Sequence, residues 1–585
     1  MPCDKKIENL RRIMKNECIE TYIITKSDPH QSEYAEPHWN GVEFISGFTG
    51  SAGTVVVTET HAGLWTDGRY YIQAEKELFE GFTLHRAAEL NAVGVLDYAV
   101  NETKDGGTIG FDGRTFSYAQ VKTINEKIKS KNILLKTEND LLYGLWDDRP
   151  PLRNEKIRVH EIKYCGEPAG DKIRKVREKL TENGGAYILS SLDDIAWLTN
   201  LRGADIPANR LFAAYMVIEN ASAVLFVNPE KMPDAIPNGY TVKPYGEFYD
   251  YIKKIDKKIT ICPGRTPYNL YAAVSKNEIN EIGADYTTIL KSVKNETEIR
   301  NLKNANIKDG AALTGFIKWV KENAGEITEH DAVIKLREFR ARGEGFVRES
   351  FPTIAAYMEN AAIVHYGTKK ESAAQIKPNG FLLVDSGGQY DDGTTDITRT
   401  ISLGGLSDEM KKNYTIVLKG HIGLAMTIFP YGVSGSRLDP IARAPLWKSG
   451  LDYNHGTGHG IGFCLSVHEG PQSISSRNNE IKLEEGMIIS NEPGLYLIGR
   501  YGIRHENTVL VKNHSETEHG RFLCLETISF APFCTDAIEE ALLTEPELEW
   551  LNDYHAMVYE TLSPLLDEPE REWLKYETRK IRKGI

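Results

Sequence analysis

The sequence predicts an α/β protein in which two related α/β domains precede a third domain and a C-terminal helical extension. Three observations predict this architecture. The chain has 585 residues, which is too long for one hydrophobic core and suggests three or four domains. A short β-rich stretch followed by a hairpin pattern occurs twice in the first half. Acidic residues and histidines then gather beside apolar, strand-like runs after residue 360.

The repeat in the first half begins each time with a Tyr-Ile pair. The first copy reads "TYIITKSDPH" and the second "AYILSSLDDIAWLTNLRGADI". Each is followed by two apolar runs around a polar turn, "TVVVTETHAGLWT" and "AAYMVIENASAVLFV", which predict hairpins. Helical patterns such as "YAQVKTINEKIKS" follow. This arrangement favours a duplicated α/β module with mixed sheets flanked by helices, and two unrelated α/β domains are the alternative.

Local signals place the domain boundaries. The stretch "WDDRPPLRNE", Trp146–Glu155, has adjacent prolines and charges that suit an extended linker. Asn295, with Glu298 three residues later, predicts the capped start of a long amphipathic helix that opens the third domain. We therefore expect domains at 1–150, 151–293 and 294–525. The acidic, helical remainder, 526–585, predicts an appendage with a solvated surface rather than a catalytic unit.

Composition excludes several classes of protein. The net charge of −13 gives no basic footprint for nucleic acid and disfavours an anionic membrane surface. The seven cysteines are scattered singly, which argues against a disulfide framework or a cysteine zinc site. The start lacks an apolar segment typical of a signal peptide, and no run approaches the ~18 apolar residues of a membrane helix. A reducing, cytoplasmic setting is the expectation.

Five stretches of the third domain carry chemically active side chains. They read "AAIVHYG", "VDSGGQYDDGTTDITRT", "NHGTGHGIGFCLSVHEGP", "GMIISNEPGLY" and "GIRHENTVLV". Their candidate residues are His365, Asp385, Asp396, His455, His459, His468, Glu492 and Glu506. Taken singly, each has an ordinary explanation. An Asp in a glycine-rich turn is more often turn chemistry than a ligand, and Glu506 fits the solvent face of an edge strand.

As a set, these residues predict a metal centre. Carboxylates near a core are costly unless they are paired or bind a metal. Carboxylate-rich donors with one imidazole suit Mn²⁺, or the borderline ions Zn²⁺ and Co²⁺. Four carboxylates carry a charge of −4, which two divalent ions neutralise and one does not. Two ions about 3.5–4 Å apart are a recurring hydrolase device, so a dinuclear centre is expected.

The same motifs resemble the metallopeptidases of the pita-bread fold. "LVDSGGQYDDGTTDITRT", "HGTGHGIG", "VHEGP", "NEPGLY" and "GIRHEN" are highly specific as a set. "HQSEY", "GFTGSAGT", "LWTDGRYY" and "DDIAWLTNLRG" extend the likeness over nearly the whole chain, to the long, three-domain, cytosolic type of Xaa-Pro aminopeptidase (aminopeptidase P). The resemblance implies creatinase- or prolidase-like N-terminal domains and a pita-bread catalytic domain. It also implies release of the N-terminal residue from peptides with proline second, by attack of a metal-bridging water or hydroxide.

The resemblance also implies roles for individual residues. Asp385 binds one ion, Asp396 and Glu506 bridge both, His459 binds the second and Glu492 binds one. Glu492 also exchanges the proton. His365 and His468 line the pocket and stabilise the oxyanion, while His455 and Arg69 contact the substrate. Arg504 is not a ligand but contacts the ligand carboxylates and holds them in place. Peptides are the expected partners, and long members of the family are commonly homodimers.

Two departures and two rival functions complete this interpretation. His365 is followed by "YGTKK" rather than by the usual alanine-proline pair, and His505 stands where an apolar residue is commoner. Neither position is a ligand. Creatinase shares the fold but lacks the ligands. A prolidase, which cleaves only Xaa-Pro dipeptides, is the first rival. A non-catalytic peptide-binding protein of the same fold is the second, and the complete ligand set disfavours it.

Overall fold

The chain forms two compact units, here described from a computed structural model. The N-terminal unit comprises Met1–His160 and Glu167–Thr287, and the C-terminal unit comprises Glu161–Gly166 and Thr288–Ile585. The structure describes residues 3–89, 91–138, 140–181 and 185–582.

The first sheet of the N-terminal unit has six strands, with helices between them. The strands are β1 (Thr21–Thr25), β2 (Thr54–Val57), β3 (Ala62–Thr66), β4 (Thr83–Arg86), β5 (Thr108–Phe111) and β6 (Leu134–Lys136). The helices are α1 (Cys3–Asn16), α2 (Gly41–Ser46), α3 (Tyr71–Glu77), α4 (Val95–Glu102) and α5 (Tyr118–Ile128). The strand order is β4-β3-β2-β1-β5-β6, which places β1 in the interior of the sheet.

The middle of the chain contributes a second six-stranded sheet and a short pair of strands. The strands are β7 (Arg158–Val159), β8 (Ala186–Leu189), β9 (Leu201–Arg202), β10 (Tyr215–Glu219), β11 (Ala223–Phe226), β12 (Thr241–Lys243), β13 (Ile259–Ile261) and β14 (Ile279–Glu281). The helices are α6 (Ile162–Cys165), α7 (Ala169–Thr181), α8 (Leu192–Thr199), α9 (Phe248–Ile252), α10 (Tyr268–Val274) and α11 (Tyr286–Ser292). The sheet order is β12-β11-β10-β8-β13-β14.

The two sheets have the same topology, which confirms the predicted pair of related α/β domains. The Tyr-Ile strand of each copy, β1 or β8, pairs antiparallel with the first hairpin strand and parallel with a later strand. The predicted hairpins are β2–β3 and β10–β11. The interior strands β1 and β8 are buried along their whole length, as strands with both faces covered require.

The C-terminal unit contains the remaining strands and the longest helix. Its helices are α12 (Glu296–Asn323), α13 (Glu329–Arg340), α14 (Asp408–Ala425), α15 (Asp439–Trp447), α16 (Glu545–Leu562) and α17 (Glu568–Glu577). Its strands are β15 (Phe346–Glu349), β16 (Ile354–Tyr357), β17 (Phe381–Ser386), β18 (Gly388–Tyr390), β19 (Gly393–Thr394), β20 (Ile397–Ser402), β21 (Ile428–Pro430), β22 (Gly458–Gly460), β23 (Glu469–Ile474), β24 (Ile488–Asn491), β25 (Gly494–Leu497), β26 (Tyr501–Arg504), β27 (Asn507–Thr517) and β28 (Gly520–Thr527). The predicted cap of α12 is confirmed, because Asn295 and Glu298 form a reciprocal capping box.

Two sheets of this unit frame the predicted site. A six-stranded sheet has the order β21-β28-β27-β24-β22-β23, and a three-stranded sheet has the order β16-β17-β20. Antiparallel pairing of β17 with β20 sets Asp385 opposite Thr398. Pairing of β24 with β27 sets Asn491, the residue before Glu492, opposite Asn507, the residue after Glu506. Strand register therefore fixes which predicted ligands become neighbours.

The C-terminal helices are part of this unit's core, so the prediction of a merely solvated surface was wrong. Leu548, Leu551 and Leu562 of α16 are buried in one cluster with Phe533. The Tyr554 hydroxyl donates to the Ala531 carbonyl at 2.9 Å. The acidic residues that dominate the composition lie on the other face of the helix. The predicted boundary at 525/526 falls inside β28.

Two further sequence expectations have structural counterparts. The segment 146–156, which includes the predicted linker, contains neither helix nor strand. Among the described residues, no helix combines the length and apolar character needed to cross a membrane. The domain boundaries at 150, 293 and 525 stay predictions.

Candidate metal centre

The predicted ligands lie within strands or at strand ends of the C-terminal unit. Asp385 is in β17 and His459 is the middle residue of β22. Asp396 directly precedes β20, Glu492 directly follows β24, and Glu506 sits between β26 and β27. Strands hold side chains more rigidly than loops do, so this placement suits a preorganised site.

Hydrogen bonds of the imidazole fix which nitrogen of His459 faces the acids. Nδ1 lies 2.9 Å from the Gly460 carbonyl, which can only accept, so Nδ1 carries the proton. Nε2 lies 3.3 Å from Asp396 Oδ2 and 3.5 Å from Glu492 Oε1.

Position 458 needs glycine, because an added Cβ would lie 1.9 Å from the Ser490 carbonyl oxygen. The close approach of these strands therefore explains part of the glycine-rich motif.

Short hydrogen bonds orient the two glutamates. The Thr398 hydroxyl donates to Glu506 Oε2 at 2.7 Å. The Ser490 hydroxyl donates to Glu492 Oε1 at 3.1 Å, and the Glu492 backbone N–H donates to the Thr457 carbonyl at 2.8 Å. Each glutamate thus has one oxygen held by a neutral hydroxyl and keeps capacity to accept from a further donor.

A buried arginine links Asp385 to a tyrosine and a histidine. Arg504 is 2% exposed and forms an ion pair with Asp385 Oδ2. Its guanidinium also donates to the Tyr496 hydroxyl at 2.6 Å. His455 Nε2 lies 2.8 Å from the same hydroxyl. Arg504 thus contacts a carboxylate that is a predicted metal ligand. Its role in holding the carboxylates in place stays a prediction.

The structure brings several of the predicted site residues together. Asp396, His459 and Glu506 offer ligand atoms that all lie within 4.8 Å of one another. The His468 ring contacts the His459 ring edge-on, with centroids 4.3 Å apart. His365 is half-buried in the segment after β16. Arg69 belongs to the N-terminal unit, where it donates to Asp67 at 2.9 and 2.8 Å. The functional roles of these residues stay predictions.

Crowding of buried acids changes the protonation of the site. Burial, with Asp396 nearby, raises the pKa of Glu492 to about 7 against the pull of His459. Burial also raises the pKa of Asp385 and places that of Glu506 well above its usual range. Burial lowers the pKa of His459, but Asp396 and Glu492 outweigh that effect and raise it to about 9. Without a further cation, the site therefore takes up protons to relieve its negative charge.

The donor set fits divalent cations. Asp385 Oδ1 is buried and makes no hydrogen bond to any described residue, which is a costly state for a carboxylate oxygen. Arg504 forms an ion pair with Asp385, and the His459 imidazole lies against Asp396 and Glu492. Four carboxylates and an imidazole with its Nε2 directed towards them match the ligands that Mn²⁺, Zn²⁺ and Co²⁺ accept.

Sequence reasoning missed several residues that support this centre. Thr398 donates to Glu506, and Tyr496 is bonded to Arg504 and His455, but isolated Thr and Tyr residues carry no spacing signal. Glu469, next to His468, is buried between Lys291 at 3.1 Å and Lys294. The glutamate of "VHEGP" was visible in the sequence, whereas its lysine partners lie about 175 residues earlier. Only the fold shows that pairing.

His505 behaves as a core residue, as its non-ligand assignment implies. Its side chain is fully buried against Tyr414, with ring centroids 4.3 Å apart. Burial, together with His421 and Arg399, places the pKa of His505 well below its usual range. A neutral imidazole here fills the volume that an apolar side chain would otherwise occupy.

Comparison with known protein families divides the chain into four matched segments. Residues 300–513 match metallopeptidase family M24, and residues 521–581 match the C-terminal region of that peptidase family. Residues 6–140 and 148–298 each match the creatinase/prolidase N-terminal domain.

Individual relatives match the chain over nearly its whole length. It is 37% identical to aminopeptidase P2 of Arabidopsis thaliana, over 96% of the chain and 86% of the relative. It is 38% identical to Xaa-Pro aminopeptidase 1 of Dictyostelium discoideum, over 96% of the chain and 94% of the relative.

Solved structures show the same pattern. The crystal structure of the X-prolyl aminopeptidase of Caenorhabditis elegans, described as a cytosolic enzyme with a dinuclear active site, aligns with a TM-score of 0.94 and 32% identity. It covers 99% of this chain and 100% of that one. The prolidase of Pyrococcus horikoshii aligns over 62% of this chain and 99% of its own, with a TM-score of 0.51 and 24% identity, which shows a shared fold.

Metal removal is expected to lower the thermal stability of the C-terminal unit, and more so at higher pH. Because the folded pKa of Glu492 is about 7, above its ordinary 4.5, the metal-free protein loses stability as pH rises through that window. The raised pKa of His459 acts in the same direction up to about pH 9. Metal binding instead strengthens as pH rises. A hundredfold excess of metal over Kd stabilises by about 2.7 kcal/mol per site.

Calorimetric melts at about pH 5.5 and pH 7.5, with chelator and with Mn²⁺, measure this effect. The gap in Tm should be larger at pH 7.5 and smaller in Asp396→Asn. Asp408→Asn, an exposed acid on α14, is the control and should keep the full gap. Equal Tm values at pH 7.5 for metal-free and reloaded protein would contradict a cation site at these residues.

Proposed function

Because the chain belongs to the aminopeptidase P family of M24 metallopeptidases, we propose that it is a metal-dependent Xaa-Pro aminopeptidase. It releases the N-terminal residue from peptides whose second residue is proline. The observation that carries this proposal is the match to Xaa-Pro aminopeptidases along the whole chain, both N-terminal domains included. A prolidase explains less, since the solved prolidase covers 62% of the chain. A non-catalytic protein does not account for the retained acidic cluster.

Five residues would hold the metal in this enzyme. Asp385 and Glu492 would each bind one ion, His459 would bind the second ion, and Asp396 and Glu506 would be shared between the two. The clustering of Asp396, His459 and Glu506 supports this assignment. Manganese is the proposed metal because four of the five donor residues are carboxylates, with Zn²⁺ and Co²⁺ as alternatives. When bound, two divalent ions lower the pKa of a water molecule and polarise the scissile carbonyl.

Glu492 is the proposed proton carrier. It accepts a proton from the attacking water and delivers it to the departing prolyl nitrogen. The departing nitrogen must gain a proton as the amide bond breaks, and the proton taken from the water supplies it.

The histidines around the cluster are proposed to bind and orient the peptide. His468 packs edge-on against His459, which places it beside the acidic cluster. With His365, it would stabilise negative charge on the carbonyl oxygen. His455, held by the Tyr496 hydroxyl at 2.8 Å, and Arg69 would contact the substrate. Arg504 positions Asp385 and neutralises part of the site's charge.

Three broader features complete the proposal. The chain divides into domains at 1–150, 151–293 and 294–525, with the extension at 526–585. It acts in the cytoplasm, as its relative from Caenorhabditis elegans is described to do. It is a homodimer built through the third domain, and a monomer mass by light scattering at micromolar concentration would exclude that assembly.

Peptide specificity tests the function directly. Purified protein loaded with Mn²⁺ is expected to release the first residue of Xaa-Pro-Yaa peptides and to leave matched Xaa-Ala-Yaa peptides largely intact. Chromatography of the products measures both. Cleavage of Xaa-Pro dipeptides alone would identify a prolidase instead. Absence of cleavage of every proline peptide with Mn²⁺, Zn²⁺ and Co²⁺ would overturn the enzyme proposal.

Replacement of the proposed proton carrier tests the mechanism. Glu492→Gln keeps the side-chain shape but removes the proton acceptor and one ligand charge, so kcat is expected to fall at least ~10²-fold. Glu480→Gln, an exposed glutamate in the preceding loop, should retain kcat. Metal content is measured in parallel, which separates lost proton transfer from lost metal. A metal-replete Glu492→Gln enzyme with near-normal turnover would reject the role.

A further inference from the structure

Two histidines face each other at one edge of the first sheet. His61 directly precedes β3, and His85 lies in the neighbouring parallel strand β4. Their Nε2 atoms are 3.1 Å apart, and their rings are nearly perpendicular with centroids 5.2 Å apart. Both side chains are half-buried rather than enclosed. The pair is in the N-terminal unit and is unrelated to the five proposed ligands.

Strand β3 has a glycine, Gly63, next to the two imidazoles, and its missing side chain leaves space for them. A Cβ atom added at Gly63 would lie 2.6 Å from His61 Nε2 and 2.9 Å from His85 Nε2. Any other residue would therefore displace at least one of the two imidazole rings. The two imidazoles can therefore approach each other because β3 has a glycine, without a side chain, at position 63.

Aromatic rings fix the orientation of the pair. Trp65 stacks on His85, with centroids 3.8 Å apart and planes 2° from parallel. Tyr98 packs against both histidines, with centroids 5.2 and 5.4 Å away. The direct stacking of Trp65 on His85 fills the space that an aromatic cage for a methylated ammonium would need. Trp65 and Tyr98 therefore hold the imidazoles in position and do not form a cage around an organic cation.

We propose that His61 and His85 form a metal site for a borderline divalent ion such as Zn²⁺, Ni²⁺ or Cu²⁺. Imidazole is a preferred ligand of these ions, whereas Mn²⁺ prefers oxygen. Two imidazole nitrogens on a tetrahedral zinc lie about 3.4 Å apart, given Zn–N distances of about 2.0–2.1 Å. A shift of a few tenths of an ångström from 3.1 Å reaches that geometry.

The protonation and surroundings of the pair are compatible with this site. Burial lowers the pKa of both histidines, so both are neutral at pH 7, as metal ligands must be. Within the described parts of the chain, the one cluster of three possible ligands is at Asp396, His459 and Glu506. The histidine pair therefore supplies two ligands, and water completes the coordination.

Metal binding at this pair would restrain β4, which is an edge strand. β4 forms one edge of the first sheet and its residues are partly exposed. A metal held by His61 and His85 would join β4 to the chain entering β3. The proposed function does not depend on this site, and the test below reads metal binding instead of catalysis.

Tryptophan fluorescence reports binding, because Trp65 contacts a proposed ligand directly. Full-length, Mn²⁺-loaded protein is titrated with Ni²⁺, a quenching ion. The expected loss is up to about one-eighth of the emission, the share of Trp65 among the eight tryptophans. Equilibrium dialysis should show one more bound Ni²⁺ in the wild-type protein than in His85→Ala or His61→Ala. Gly63→Ala should also lose this ion.

Matched variants separate the site from general effects. His514→Ala removes an exposed histidine of β27 and should bind as the wild-type protein does. Trp65→Phe should keep the extra Ni²⁺ but lose the fluorescence change. Circular dichroism confirms that each variant is folded. Equal Ni²⁺ uptake and equal quenching by wild-type protein and folded His85→Ala would overturn the proposal.

Discussion

The concentration of acidic side chains in the C-terminal unit is the constraint on which the rest of this structure depends. Asp385, Asp396, Glu492 and Glu506 converge from different strands with one arginine and one imidazole to offset their charge. Such a site is unfavourable unless protons or cations neutralise it. In the proposed enzyme, divalent ions would neutralise it at neutral pH and would also provide the chemistry of peptide hydrolysis. The same feature would then account for stability, metal dependence and reactivity.

The surrounding fold holds this charge in place through a second ring of contacts. Arg399 is buried and donates to the Glu506 carbonyl at 2.6 Å, to Asn507 Oδ1 at 2.8 Å and to the Tyr554 hydroxyl at 2.8 Å. Tyr554 belongs to α16, so the C-terminal helix is linked through Arg399 to the segment between β26 and β27 that carries Glu506. An extension that looks peripheral in sequence thus supports the backbone of the acidic centre.

Much of the fold was predictable because its signals are local. The hairpins around β2 and β10 and the capping box of α12 each depend on residues close in sequence. The proposed ligands stood out because acidic residues and histidines recur beside short apolar runs within one domain. The contributions of Thr398, Tyr496 and the lysines around Glu469 were not predictable, since only strand register and packing bring them to the site. The prediction of a solvated C-terminal surface was wrong. An acidic composition does not show that one face of α16 packs in the core, where Leu548, Leu551 and Leu562 are buried.

The number of metal ions needed for full activity tests the central claim most directly. Metal-free protein is titrated with Mn²⁺, and bound metal and hydrolysis of an Xaa-Pro-Yaa peptide are measured on the same samples. Mn²⁺ suits this test because the separate histidine pair disfavours it. The account predicts that activity reaches its plateau with two Mn²⁺ bound per chain. Full activity in protein that holds one Mn²⁺ per chain or less would contradict it.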